Sequence, residues 1–171
     1  MIALRRCKFW GLTLAMLLLG QLPAAAKAVS VAVFDFELVD TSLEGASRGK
    51  DPAETARLKL ISDKLRAMLS QSEQYKVLDL APAANKIADV GYFHGCNGCD
   101  ADIAKSIGAE RSMTGVVRKI STLILNIDIF VRDTATGEVV QTAAADIRSN
   151  SDDSWLHGVS WLVRNRLLAA Q

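Results

Sequence analysis

The sequence predicts a single α/β domain, with a mixed sheet of about five strands flanked by helices in the order β-α-β-α-α-β-β-β-α. Residues 123–132 place apolar side chains at every second position, which is typical of a half-buried strand. Residues 31–34 are continuously apolar, as in a central strand that is covered on both faces. An amphipathic helix separates this run from a second short strand, YKVLDL, and that order indicates a right-handed β-α-β crossover.

The amino terminus has the pattern of a secretory signal. Residues 5–8 are rich in basic side chains, the apolar run WGLTLAMLLL begins at Trp10, and an A-K-A site precedes Val29. That run is about half the ~20 residues that a membrane-spanning helix needs, so we expect cleavage rather than a membrane anchor. The predicted organisation is a signal peptide over residues 1–28 and one domain over residues 29–171.

The charge of the predicted mature chain gives no reason to expect nucleic-acid binding. Residues 1–28 carry four basic and no acidic side chains, so the rest has 16 basic and 19 acidic residues and a net charge of −3. Cys7 lies in the basic region and not at the cleavage point. We therefore expect a soluble periplasmic protein with no lipid anchor and no stable membrane insertion.

The amino-terminal half is predicted to form the β-α-β unit. The first strand covers Val29–Leu38, and Asp35 and Glu37 lie at its carboxyl end. Open α/β sheets bind ligands at such ends, so both carboxylates are candidate binding residues, with capping of the next loop as the alternative for Asp35. Residues 39–52 are polar and glycine-containing, which predicts a long loop and a second recognition surface. Pro52 then begins the amphipathic helix.

Capping and turn residues place the remaining elements. Asp100 is predicted to cap a helix that Gly108 ends, Gly137 suits a turn with positive φ, and acidic residues after Ser151 suit the start of the last helix. Trp161 lies off the apolar face of that helix, as a candidate contact residue or a peripheral core position. The predicted segments are a strand over 75–80, a helix over 82–89, a meander of strands over 111–120, 123–132 and 138–148 with a tight connection at 119–122, and a helix from 151.

Cys96 and Cys99 are the only cysteines of the predicted mature chain. An isolated close pair in an oxidising compartment favours a disulfide, which would hold the glycine-rich loop rigid. A thiolate at a helix amino terminus could instead be redox-active, although thioredoxin-like folds use a later proline and the last one here is Pro82. With His94 the thiolates would form a zinc or copper set, although structural zinc sites usually take ligands from two separated segments.

No sequence motif indicates an enzyme or a cofactor. The chain lacks a nucleophile elbow, a P-loop, a dinucleotide fingerprint and a zinc-protease motif, and it has only two histidines. We therefore predict no cofactor and favour a non-enzymatic protein, while carboxylate chemistry stays open.

The order of these signals resembles the amino-terminal α/β domain of TolB and the curli-secretion (CsgG-like) lipoprotein group. In that group a segment like IAxxLGAxxxxxGxV leads to a strand ending in D-x-x-TGE; the matching segments here begin at Ile103 and Asp133. Small exported bacterial proteins of a domain-of-unknown-function family are more similar still. The resemblance covers most of the mature chain and implies the fold and a role in envelope protein–protein interaction. The chain lacks the lipobox of the curli-secretion group and room for its pore-forming hairpins, so we do not expect a secretion pore. It also lacks the β-propeller that follows this domain in TolB, so we do not expect a TolB.

The sequence thus predicts a non-enzymatic periplasmic accessory module that binds an envelope protein partner. The candidate surfaces are the 39–52 loop, a sheet edge and the area around Trp161. The alternatives are a thiol-redox or metal-binding protein that uses His94, Cys96 and Cys99, and a small-ligand sensor near Asp35.

Overall fold

Six strands and five α-helices make up the protein in a computed structural model, which describes residues 27–169. The strands are β1 (Val29–Val33), β2 (Glu37–Asp40), β3 (Tyr75–Val77), β4 (Arg111–Ser121), β5 (Ile124–Asp133) and β6 (Val139–Ile147). The α-helices are α1 (Leu43–Arg48), α2 (Pro52–Ser70), α3 (Ala84–Val90), α4 (Cys99–Ser106) and α5 (Asp152–Leu162). Short 3-10 turns cover Ala81–Ala83 and Phe93–Gly95, and a π-helical turn covers Val163–Leu167.

Most of the predicted signal peptide, residues 1–26, lies outside the described residues. Across 27–169, none of the helices combines the length and apolar character needed to span a bilayer.

One mixed sheet organises the fold. Its strand order is β3-β1-β4-β5-β6, and β2 pairs with β4 beyond the end of β1. β1 is parallel to both β3 and β4, as a crossover through α2 requires, and β4, β5 and β6 form an antiparallel meander. The predicted α/β class, the mixed sheet and the flanking helices are confirmed.

Helices cover both faces of this sheet. Because side chains of a strand alternate between the two faces, those of β1 enter two separate cores. Val31 and Val33 join Trp155 and the apolar faces of α2 and α5 in the larger core. Ala32 and Phe34 join a smaller core under α3 and α4. This arrangement explains why residues 31–34 are apolar at every position.

A one-residue β-bulge separates β1 from β2. Val33 lies opposite Met113 whereas Glu37 lies opposite Val116, so three residues of the first segment face two residues of β4. The bulge turns Phe36 toward the larger core, where its ring occupies the space in which a β-carbon of Gly115 would lie. The predicted single strand over Val29–Leu38 is therefore divided.

Two side chains of α2 bind the main-chain groups that the bulge leaves without strand partners. The hydroxyl of Ser62 accepts a hydrogen bond from the Phe36 N–H at 2.8 Å. Arg66 donates to the carbonyl oxygen of Val33 from Nε at 3.1 Å and from Nη2 at 2.9 Å. Buried main-chain groups are costly when unpaired, so these contacts fix the position of α2 over the bulge.

The predicted loop over residues 39–52 is wrong in part, because it contains the end of β2 and the helix α1. Ser42 caps α1 by accepting a hydrogen bond from the Gly45 N–H at 3.0 Å, and its own N–H donates to Asp40 Oδ1 at 2.8 Å. The helix has six residues and none of them is buried, so it carries no apolar periodicity that a sequence pattern could show.

The predicted cap of α4 is also wrong. The helix begins at Cys99 and its N-cap is Gly98, which has φ of +98°. Asp100 lies in the first turn and is buried, where its Oδ2 accepts a hydrogen bond from the Ser112 hydroxyl at 2.5 Å and its Oδ1 lies 3.4 Å from Arg132 Nε. The carboxylate therefore ties α4 to the sheet.

Replacing Gly115 with alanine tests the packing at the bulge. Because the new β-carbon overlaps the buried Phe36 ring, we expect the free energy of unfolding to fall by about 1–3 kcal/mol, as in other overpacked cores. Urea denaturation measures the change. Gly95→Ala is the control, since no atom lies within 4 Å of a β-carbon there. Equal losses in the two variants would contradict the proposed overlap.

Candidate functional site

A cleft of about 1100 Å³ opens at the carboxyl ends of β1 and β3. α2 forms one wall, and α3 with the residues that follow it forms the other, while β2 runs between them. Apolar side chains from all of these elements line it, among them Leu38, Leu58, Leu80, Ile87 and Phe93. This is the edge at which open α/β sheets bind ligands, as the sequence analysis expected for the strand that ends near Asp35.

The two carboxylates predicted at this strand end, Asp35 and Glu37, both line the cleft. Asp35 lies at the rim with 70% of its side chain exposed, and its Oδ1 lies 2.6 Å from Arg66 Nη2. Because Arg66 also binds the carbonyl oxygen of Val33, Asp35 is linked to the bulge through one guanidinium. It is the more accessible carboxylate of the two.

Glu37 holds the wall opposite α2. Its carboxylate accepts hydrogen bonds from the N–H groups of Phe93 at 2.5 Å and His94 at 3.0 Å, and its Oε2 lies 2.7 Å from His94 Nδ1. Only 11% of its side chain is exposed. Three contacts on one carboxylate make Glu37 an anchor of the turn at Phe93–Gly95.

A buried ionic cluster beside the cleft was missed by the sequence analysis. Lys119 Nζ lies 2.6 Å from Glu54 Oε1, 3.2 Å from Asp40 Oδ2 and 3.4 Å from Glu44 Oε2. Asn150 adds a hydrogen bond to Glu54 Oε1 at 2.6 Å. Lys119 and Glu54 are 2% and 1% exposed, so the cluster joins α1, α2, β2 and β4 inside the protein.

The sequence did hold a signal for this cluster. Lys119 follows Val117 at the inward position of β4, and Glu54 precedes Leu58 and Ile61 on the buried face of α2. When a basic and an acidic residue each take an apolar-face position on two different elements, a buried ion pair is indicated. The pattern alone does not show that the two side chains meet.

The surroundings of the cluster shift two pKa values. Burial lowers the pKa of Lys119, but hydrogen bonds and charge attraction from Glu54 and Asp40 outweigh it, so the pKa of Lys119 is raised above its usual value. Burial raises the pKa of Asp40, and hydrogen bonds from Ser42 together with Lys119 outweigh that effect, so the pKa of Asp40 is lowered. Both shifts favour the charged forms.

Cys96 and Cys99 form a disulfide in the structure, with their Cα atoms 5.9 Å apart. The bridge joins the residue after the turn that Glu37 anchors to the first residue of α4. His94 directs Nδ1 to Glu37, and the region 27–169 contains no group of three His, Cys, Asp or Glu side chains arranged to hold a metal ion. The predicted metal set of His94, Cys96 and Cys99 therefore requires reduction of the bridge before its sulfurs can act as ligands.

Trp161 takes no part in the cleft. It lies on α5 with 37% of its surface exposed, and the guanidinium carbon of Arg166 lies 5.4 Å from the centre of its ring. The structure thus places Asp35 and Glu37 in one cleft, puts the disulfide next to the turn that Glu37 binds, and leaves Trp161 outside the cleft.

The fold and the cleft define an α/β domain with a walled cleft at the edge of its sheet. The chain belongs to the family described as Protein of unknown function (DUF2380), whose model matches residues 29–167. The predicted membership of a domain-of-unknown-function family is confirmed. Among curated proteins, none matches this sequence significantly.

Solved structures are similar to this chain at low sequence identity. The LpoB C-terminal domain from Salmonella enterica is 13% identical with a TM-score of 0.51, over 74% of this chain and 87% of that one. Lipoprotein GNA1162 from Neisseria meningitidis is 18% identical with a TM-score of 0.48, over 83% of this chain and 98% of that one. TolB from Acinetobacter baumannii is 13% identical with a TM-score of 0.47, over 82% of this chain and 28% of that one. At such identity the likeness to the LpoB domain shows the fold alone.

Removing the charge of Lys119 tests the buried cluster. In Lys119→Met, the buried carboxylate of Glu54 and the partly buried one of Asp40 lose their cation, so we expect the free energy of unfolding at pH 7 to fall by about 3–5 kcal/mol. Lys59→Met is a matched control, because Lys59 Nζ also lies 2.6 Å from a carboxylate, that of Asp63, but its side chain is 74% exposed. Its loss should stay below about 1 kcal/mol. Similar urea midpoints for the two variants would contradict a structural role for the cluster.

The thiol state of Cys96 and Cys99 separates a structural bridge from a reactive one. We expect intact mass after alkylation to show no label on Cys96 or Cys99 until the redox buffer is strongly reducing, because the bridge joins two ordered segments. The same spectrum shows whether residues 1–28 have been removed. Free thiols, or labelling at a mild potential, would favour the redox or metal interpretation instead.

Proposed function

We propose that the chain is a non-enzymatic periplasmic accessory module of the cell envelope, which binds a protein partner through the cleft between α2 and α3. The observation that carries this proposal is the cleft itself, about 1100 Å³ in volume and lined by apolar side chains at the ends of two parallel strands. An open apolar surface of this kind is typical of an interaction site.

The charged groups around the cleft support binding rather than catalysis. Asp35 is paired with Arg66, Glu37 holds the turn after α3, and Asp40 is bound by Lys119. Each carboxylate already holds a neighbouring element in place, so the walls would have to rearrange before any of them could act as a general acid or base.

Export to the periplasm is part of the proposal and rests on two observations. Residues 1–28 carry the signal-like pattern, and Cys96 and Cys99 are bridged. Disulfides form and persist in oxidising compartments, so the bridge agrees with the pattern. The bridge also stiffens the segment next to the cleft wall, which favours a preformed site.

A thiol-redox or metal-binding function at His94, Cys96 and Cys99 is the second candidate. Cys99 is the first residue of α4, a helix of eight residues, and the positive end of the helix dipole would favour its thiolate. Metal binding would in addition require His94 to leave Glu37. A small-ligand sensor near Asp35 would occupy the same cleft as a protein partner.

Filling the cleft tests the first candidate. Ala88 is exposed on α3 and lines the cleft, so we expect Ala88→Trp to abolish photo-crosslinking of a partner to a benzoylphenylalanine placed at Leu80, in cells that make the full chain. Ala56→Trp is the matched control, because Ala56 is an exposed alanine of α2 that does not line the cleft. A crosslink that survives in both variants, or the absence of any crosslink in the parent, would contradict partner binding in the cleft.

A further inference from the structure

β2 has one edge without a strand partner. Within residues 27–169 it pairs only with β4, and β3, which flanks β1, ends at Val77 and does not continue alongside it. The chain leaves the sheet through Leu78, whose N–H donates to the Val31 carbonyl at 2.9 Å, and then enters the turn before α3. The sheet therefore has a gap beside β2, and this gap is the cleft.

The main chain of β2 directs hydrogen-bonding groups into that gap. The Thr41 N–H donates to the Lys119 carbonyl of β4 at 2.9 Å. Because alternate residues of a strand point to the same side, Val39 also faces β4, while the N–H and C=O groups of Leu38 and Asp40 face the cleft. Across the described part of the chain, no hydrogen bond satisfies those outward N–H groups. Edge groups of this kind are a template for another strand.

The walls of the gap fit the side chains of an inserted strand. On one side α2 contributes Leu58 next to Leu38 of β2, and on the other side Leu80, Ile87 and Phe93 line the cleft. A strand that is covered on both faces carries apolar side chains at successive positions, as β1 does. Exposed charges of both signs also line the cleft, Asp35, Asp51 and Asp79 together with Lys50 and Lys59.

We propose that the cleft takes an extended segment of the partner protein, which adds to the free edge of β2 as a strand and presents a continuous run of about four apolar residues. This proposal rests on the proposed function and names the form of the partner. The four residues of β2 offer an edge of roughly 13 Å, and main-chain hydrogen bonds along such an edge supply affinity while the pockets supply selectivity.

A phage-displayed library of random dodecapeptides, selected against the full mature protein, provides the probe. We expect enriched peptides to share a run of about four apolar residues. Their dissociation constants should rise at least tenfold when amides within that run are N-methylated, because methylation removes the strand's N–H donors. In amide exchange by NMR, bound peptide should protect Leu38 and Asp40, while Val39 and Thr41 are protected already without it.

A pair of variants at one position isolates the main-chain contact. Leu38→Pro removes the outward N–H and leaves the pairing with β4, since proline is tolerated on an edge strand whose N–H is free. Leu38→Ala removes the same apolar side chain and keeps the N–H. We expect at least tenfold weaker peptide binding to Leu38→Pro than to Leu38→Ala. If Leu38→Pro fails to fold by circular dichroism, the N-methylated peptides on the parent protein decide the question.

The remaining outcomes separate this proposal from the proposed function. Peptides that Ala88→Trp excludes but that bind Leu38→Pro and Leu38→Ala equally would overturn strand addition and leave a protein-binding cleft. Peptides that bind regardless of all three substitutions would overturn both.

If no peptide is enriched and the dye 1-anilinonaphthalene-8-sulfonate binds until Ala88→Trp blocks it, the cleft holds a small apolar ligand. Concentration-dependent dimerisation that Leu38→Pro abolishes would make a second copy of the chain the occupant. Either of these last two results overturns the proposal.

Discussion

The one-residue bulge between β1 and β2 is the constraint on which the rest of the molecule depends. It reverses which side chains of the first segment face α2, so that Phe36 enters the larger core over Gly115 while Phe34 remains in the smaller one. It also leaves the Phe36 N–H and the Val33 carbonyl to be bound by Ser62 and Arg66 of α2. These contacts fix α2 over the bulge. The cleft opens beyond the end of β3, where no strand of residues 27–169 continues the sheet beside β2.

β2 lies between the two walls of the cleft and is bound to each of them through a carboxylate. The two carboxylates lie on opposite faces of the strand. Glu37 faces the turn after α3 and accepts its N–H groups, whereas Asp40 faces α1 and α2 and binds Lys119. Burying Lys119 among carboxylates gains little net stability, because desolvation offsets much of the attraction, but it leaves few alternative arrangements for the elements it joins. With the disulfide next to the opposite wall, these contacts favour a cleft that is formed before anything binds.

Family membership and fold leave the activity open, for a physical reason. The fold shared with the LpoB domain at 13% identity is determined by the sheet, the crossover and the cores, which many sequences can satisfy. Binding depends instead on the few groups that face solvent in the cleft. Here those groups are the outward edge of β2, the apolar walls and charged side chains of both signs.

Local sequence patterns were sufficient for the fold class, the crossover helix and the meander, because apolar periodicity and turn residues act over a few neighbouring positions. They could not show the bulge, since residues 31–34 and Phe36 are apolar whichever face they take. The short α1 has no buried side chain and therefore no apolar pattern that indicates a helix. Asp100 has the residue type of a helix N-cap, although it is buried against Ser112. Lys119 and Glu54 lie 65 positions apart, and their meeting, like the gap beside β2, depends on where strands stop relative to one another in space. The sequence by itself therefore determined which segments form strands and helices; only the tertiary structure decided which edges and charges they leave facing one another.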